Sequence, residues 1–72
     1  MISKSTLSLR KLEYQKGARV KLISMDDPQS PEAGTKGTVI GVDDTGSVLV
    51  EWDDGSSLNV VYGIDECEVI YD

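Results

Sequence analysis

Ser47-Val-Leu-Val-Glu-Trp-Asp-Asp-Gly-Ser-Ser-Leu-Asn-Val-Val-Tyr62 is the stretch whose reading decides the fold. Val48, Val50 and Trp52 alternate with Leu49 and Glu51, the period of two that marks a strand with one buried face. Asp54-Gly55 follows, and an Asp-Gly pair accepts the positive φ angles of a tight type I′ turn. Ser56–Tyr62 then reads as the returning strand of a hairpin.

Outward from this hairpin the same pattern repeats. Ala18–Ser24 alternates Ala18, Val20 and Leu22 against Arg19 and Lys21. Lys36–Val42 is a further strand, with Gly37 and Gly41 inside it marking a sharp bend or bulge. Glu66–Ile70 is the last. Asp43-Asp44-Thr45-Gly46 and Gly63-Ile64-Asp65 read as turns, and Met25–Gly34, with two prolines, as a long loop. Strands at intervals of about ten residues predict an all-β protein, here a small five-stranded barrel over residues 16–72. Val20, Leu22, Val39, Val42, Val48, Val50, Trp52, Leu58, Val60 and Val69 are its expected core. Residues 1–15 form an N-terminal arm. Leu7 and Leu9 in it suit a strand, Leu9 and Leu12 a helical turn, and the pattern does not choose. The arm is either a frayed tail or a segment docked on the barrel or on a neighbouring copy.

A chain of 72 residues has room for one core. So small a domain buries only ~60% of its unfolded surface, and many such domains carry a staple. One cysteine, Cys67, allows no internal disulfide, and the lack of histidine removes the commonest zinc ligand. Self-association into a homo-oligomer is the remaining staple. No apolar run resembles a signal peptide or a membrane span, and a lone thiol suits a cytoplasmic setting.

The net charge of −6 is unevenly spread. All seven basic residues lie at or before Lys36, where four acids leave +3; beyond it stand nine acids and no base. Such a field repels duplex DNA and favours neutral or basic protein partners. Arg19, Lys21 and Lys36 remain a candidate phosphate-binding face if the fold gathers them.

The acidic pairs Asp26-Asp27, Asp43-Asp44, Asp53-Asp54 and Asp65-Glu66 all fall at predicted turns, where Asp bonds backbone N–H groups two residues on. Their spacing matches no EF-hand, and no metal or other cofactor is expected. Acid–base catalysis needs a pocket that drives two carboxyl pKa values apart, for which a barrel this small has little room; no catalytic residue is assigned and the chain is read as a non-enzyme. Cys67 sits between Glu66 and Glu68, which oppose thiolate formation, and reads as an inert thiol. Trp52 is either core or an aromatic platform together with Tyr62 or Tyr14, for a proline-rich peptide or a stacked base. The loop is either a packed connector or a ligand-facing segment presenting Met25, Asp26 and Asp27, with Lys36 nearby.

Five motifs in order carry a family resemblance. They are Gly17-Ala-Arg-Val-Lys-Leu-Ile-Ser-Met-Asp-Asp-Pro28, Gly34-Thr-Lys-Gly-Thr-Val39, Val42-Asp-Asp-Thr-Gly46, Val50-Glu-Trp-Asp-Asp-Gly-Ser-Ser-Leu58 and Gly63-Ile-Asp-Glu-Cys-Glu-Val-Ile70. Together, over residues 16–71, they resemble a small family of unknown function found in bacteriophages, conjugative elements and Firmicute genomes. Cys67 stands where that pattern has a bulky aromatic. The resemblance implies an SH3-like barrel and a mobile-element origin, and it supplies no activity. The Gly34–Val39 motif is also similar to a strand of KOW-type barrels, which bind RNA or protein; that is an analogy of fold.

Three functions follow as expectations. The first is a non-catalytic module of a phage or mobile element that binds a host or phage protein. The second is an oligomeric protein that sequesters a nucleotide signal, with Arg19, Lys21 and Lys36 on the phosphates and Trp52 or a tyrosine on the base. The third is KOW-like RNA binding.

Overall fold

The computed structural model describes residues 2–71. The chain is mostly β, with a helix α1 (Lys4–Glu13) and four strands, β1 (Arg19–Ser24), β2 (Lys36–Val42), β3 (Val48–Trp52) and β4 (Glu66–Ile70). All pairings are antiparallel, and the sheet order is β3-β2-β1-β4.

The strands form where the alternation is cleanest. Val20 and Leu22 point inward from β1 and Arg19 and Lys21 outward, because successive side chains of a strand take opposite faces. Val39, Val48, Val50, Trp52 and Val60 complete the interior, with Val42 and Val69 partly buried against it. Leu58 stays half-exposed, and Tyr14 joins the core in its place.

Gly37 and Gly41 have different jobs. The pairing of β2 with β3 slips between Val39 and Gly41, so the bulge is at Gly41. Gly37 is instead a close approach, its Cα lying tightly over Val50 and Trp52.

Two expectations are corrected. The expected fourth strand, Ser56–Tyr62, is no strand: only Val60 bridges to Val48. Trp52 explains why. Its indole N–H donates to the Leu58 carbonyl (2.8 Å), and its backbone N–H donates to Ser56 (2.9 Å), so the chain after the turn wraps around the ring. The four-stranded sheet therefore stays open, since β3 and β4 do not pair, and there is no closed five-stranded barrel among the described residues. The arm is a helix rather than a frayed tail. Ser3 stands in extended backbone and its Oγ accepts from the Thr6 N–H (3.1 Å), an N-cap worth ~1 kcal/mol. Arg10 and Lys11 occupy the last turn, where cations offset the helix dipole. Tyr14 follows as C-cap and is itself buried among the core residues of the sheet.

Candidate binding site

The C-terminal end of α1 is tied to two distant parts of the sheet. Tyr14 Oη donates to the Cys67 carbonyl on β4 (3.2 Å). One turn earlier, Arg10 Nε donates to the Gly46 carbonyl in the β2–β3 turn (2.7 Å). The Arg10 guanidinium carbon also lies 5.3 Å from the Tyr14 ring centroid and 4.8 Å from that of Tyr62. Each such cation–π contact contributes ~0.5–1 kcal/mol where partly exposed. The nearby Lys11–Asp44 pair (3.7 Å) is exposed and adds little.

The β2–β3 turn is built to present that carbonyl. Asp43 Oδ1 accepts from the Thr45 N–H (3.0 Å), Thr45 Oγ1 (2.6 Å) and the Ser47 N–H (3.0 Å). Gly46 takes φ +85°, a region that disfavours side chains, and an added Cβ would stand 2.5 Å from Ile2 Cδ1.

Between helix and turn lies a groove of about 550 Å³, lined by Ile2, Lys4, Leu7, Asp44, Thr45 and Tyr62. Its volume falls in the range of small-ligand sites, ~300–1,000 Å³. Ile2, Leu7 and Tyr62 supply apolar surface; Lys4, Asp44 and Thr45 supply polar groups.

Of the residues proposed from sequence to bind a ligand or partner, Tyr62 alone lines this groove. Arg19, Lys21 and Lys36 do share one face, since Lys21 lies opposite Lys36 across β1 and β2 and Arg19 lies opposite Thr38. That face carries its own counter-charges. Arg19 makes a two-pronged contact with Asp53 (2.9 and 2.6 Å) and also reaches Thr38 (3.0 Å), while Lys21 pairs with Glu68 (3.1 Å). A phosphate there would have to displace carboxylates. Trp52 is 3% exposed with its N–H bonded inside, so the platform reading is corrected: it is core. Met25 is half-buried against the core. The Asp26 N–H donates to Asp65 Oδ1 (2.8 Å), and Asp65 Oδ2 accepts from the Val61 N–H (2.9 Å), a clamp between the long loop and the turn before β4. Asp27 accepts from the Gln29 N–H (2.8 Å), an Asx turn. The loop is thus anchored at Asp26 and Asp27, while Asp26 itself stays exposed. Arg10 and Leu7 were missed, because the docked face of α1 is marked by Arg10 and Tyr14 four residues apart and not by a stripe of leucines.

Hydrogen bonds from Thr45, offset in part by burial, hold the Asp43 carboxyl below its ordinary value, and those from Arg19 do the same for Asp53. Burial raises Tyr14 above the usual phenol value and pushes the Cys67 thiol up to about 11. Cys67 faces inward opposite Leu22, so burial rather than its acidic chain neighbours keeps it a thiol. Among the described residues no group of three or more Cys, Asp and Glu side chains is placed to hold a metal ion, and no helix is long and apolar enough to cross a membrane.

Two predictions arise here. Arg10→Ala is expected to loosen α1 by ~1–2 kcal/mol while leaving the sheet intact. Amide exchange over residues 4–13 should accelerate while that of Val39, Val48 and Val50 stays slow; uniform loss of protection would show that the helix is not a separable element. The second concerns acid. A carboxyl whose folded pKa lies below its unfolded value near 3.8 stabilises the fold above that pH, and the stabilisation is lost as pH falls through the folded pKa. Thermal midpoints are therefore expected to fall below about pH 4, and Asp43→Ala should lower the midpoint at neutral pH and flatten the acid limb.

No curated protein and no solved structure matches the chain. The family model described as Domain of unknown function (DUF4314) matches residues 3–70, a span that takes in α1, the turn at Gly46 and all four strands, and the chain belongs to that family.

Proposed function

We propose that the chain is a non-catalytic binding module whose α1 groove takes an apolar anchor residue, flanked by a basic one, from a protein partner. The observation that carries this reading is the groove itself, an apolar floor of Ile2, Leu7 and Tyr62 held open by the Arg10 latch and edged by the Asp44 carboxylate. The acidic half of the chain favours a basic partner surface and faster association at low salt. The sheet order, with the Ser56–Val60 segment following β3 through one bridge, supports an SH3-like barrel left open where its fourth strand has unravelled. Within the family resemblance, the module is an accessory protein of a phage or mobile element acting on a host or phage protein. The nucleotide and RNA readings draw less support, because Arg19 and Lys21 are paired with acids and Trp52 is unavailable for stacking.

The test is a peptide-display selection on the intact chain, followed by amide-shift mapping with the enriched peptide. Enriched sequences should share an apolar residue next to Lys or Arg, and shifts should centre on Leu7, Thr45 and Tyr62. Asp44→Lys should abolish binding while leaving the fold unchanged, because the Asp44 side chain is exposed and its contact with Lys11 is long. Absence of enrichment, or shifts confined to the outer face of the sheet, would refute the groove.

A further inference from the structure

Among the described residues the open sheet leaves one edge of β4 without a partner strand, and backbone parity says which groups it presents. Leu22 spends its N–H on Thr35 (2.9 Å) and its C=O on Gly34 (2.7 Å), and the Ala18 carbonyl accepts from Val39 (2.8 Å). The even-numbered residues of β1 thus point their backbone toward β2 and the loop leading into it, and Arg19 and Lys21 point theirs toward β4. Their partners Ile70 and Glu68 therefore make the ladder bonds, while Val69 and Cys67, opposite Val20 and Leu22, turn their N–H and C=O groups outward. Tyr14 Oη confirms the direction, because it reaches the Cys67 carbonyl from that outer side. The Cys67 N–H and both backbone groups of Val69 form no turn, loop or cap bond among the described residues. Val69 and Cys67 are also only partly buried, so the core is incomplete along this edge.

We infer that the outer edge of β4, where Tyr14 Oη holds the Cys67 carbonyl and the Cys67 N–H and Val69 backbone remain, is a strand-addition site for an extended segment of alternating basic and aliphatic residues. Aliphatic side chains of the added strand would lie beside Cys67 and Val69 on the inner face and extend the core. Basic ones would lie beside the exposed Glu66, and beside Glu68 in competition with Lys21 (3.1 Å), on the outer face, where opposite charges across neighbouring strands are favourable. This charge pattern also rejects a second copy, since β4 against β4 sets glutamates against one another, the guard that edge strands commonly carry. The site shares no lining residue with the α1 groove, and Tyr14, the C-cap of α1, touches it only at the Cys67 carbonyl.

The experiment titrates the isotope-labelled intact chain with an acetylated and amidated Lys-Val-Lys-Val-Lys-Val peptide. A second peptide of the same sequence is N-methylated at the valines, which keeps the charge and removes ladder donors. The first should shift and protect the Cys67 and Val69 amides saturably, with several-fold weaker binding to Glu66→Lys, an exposed position. The methylated peptide and a Glu-Val-Glu-Val-Glu-Val peptide should leave those amides unmoved. Equal effects of methylated and unmethylated peptides would reduce the contact to charge attraction and overturn the proposal, as would absence of shifts at Cys67 and Val69. Broadening of those two amides with protein concentration alone would assign the edge to a second copy and overturn it equally.

Discussion

Replacing Trp52 with alanine is expected to leave the chain largely unfolded at room temperature. The indole is 3% exposed, and removing a buried aromatic ring costs ~3–5 kcal/mol through lost transfer energy and the cavity left behind. The ring also organises the chain beyond itself. Its N–H satisfies the Leu58 carbonyl, and the segment that it gathers brings Val60, 1% exposed, against Val48. Domain stability runs at ~0.05–0.15 kcal/mol per residue, so this one change removes most of what a chain of this size has. Trp52→Phe keeps most of the ring volume and forfeits the hydrogen bond, and should cost ~1–2 kcal/mol. Far-UV circular dichroism and amide-shift dispersion distinguish the two variants; an alanine variant with an unchanged thermal midpoint would remove Trp52 from the centre of the core.

Gly37→Ala is expected to destabilise by ~1–3 kcal/mol, the usual cost of overpacking a closed interior. A Cβ at Gly37 would stand 2.6 Å from Val50 Cγ1, 2.8 Å from Trp52 Cε3 and 2.9 Å from the Glu51 carbonyl oxygen. The first two belong to packed core side chains and the third is backbone, so none yields cheaply. Gly41→Ala is the matched control in the same strand. Nothing lies within 4 Å of a Cβ at Gly41, so the change should be near neutral. Urea titrations of the two variants check this, and equal midpoints would mean that the close approach at Gly37 is relaxed in solution.

The strands were legible because their alternation is local. Lys36–Val42 was read with its observed bounds, and Val20, Leu22, Val39, Val48, Val50, Trp52 and Val60 were read as core and are buried. The acidic turns were legible for the same reason: Asp27, Asp43 and Asp54 each accept from a backbone N–H two residues on. What failed was decided by contacts distant in the chain. Ser56–Tyr62 has strand-like composition, but the Trp52 indole competes for its carbonyl and leaves one bridge. The helix was hidden because Leu9 and Leu12, which suggested it, remain two-thirds exposed, while Arg10 and Tyr14 make the docking contacts. The groove was beyond reach altogether, since it exists only once residues 2–7 meet the turn at Asp44 and Thr45.

A binding role at α1 requires the helix to sit on the sheet through Arg10 in solution. Nuclear Overhauser spectroscopy of the intact chain reads this without a ligand. Cross-peaks should join the Arg10 side chain to the rings of both Tyr14 and Tyr62 alongside helical contacts over residues 4–13. A helix whose Arg10 and Leu7 protons meet only their own turn would leave no groove between α1 and the β2–β3 turn, and the proposed function would fall with it.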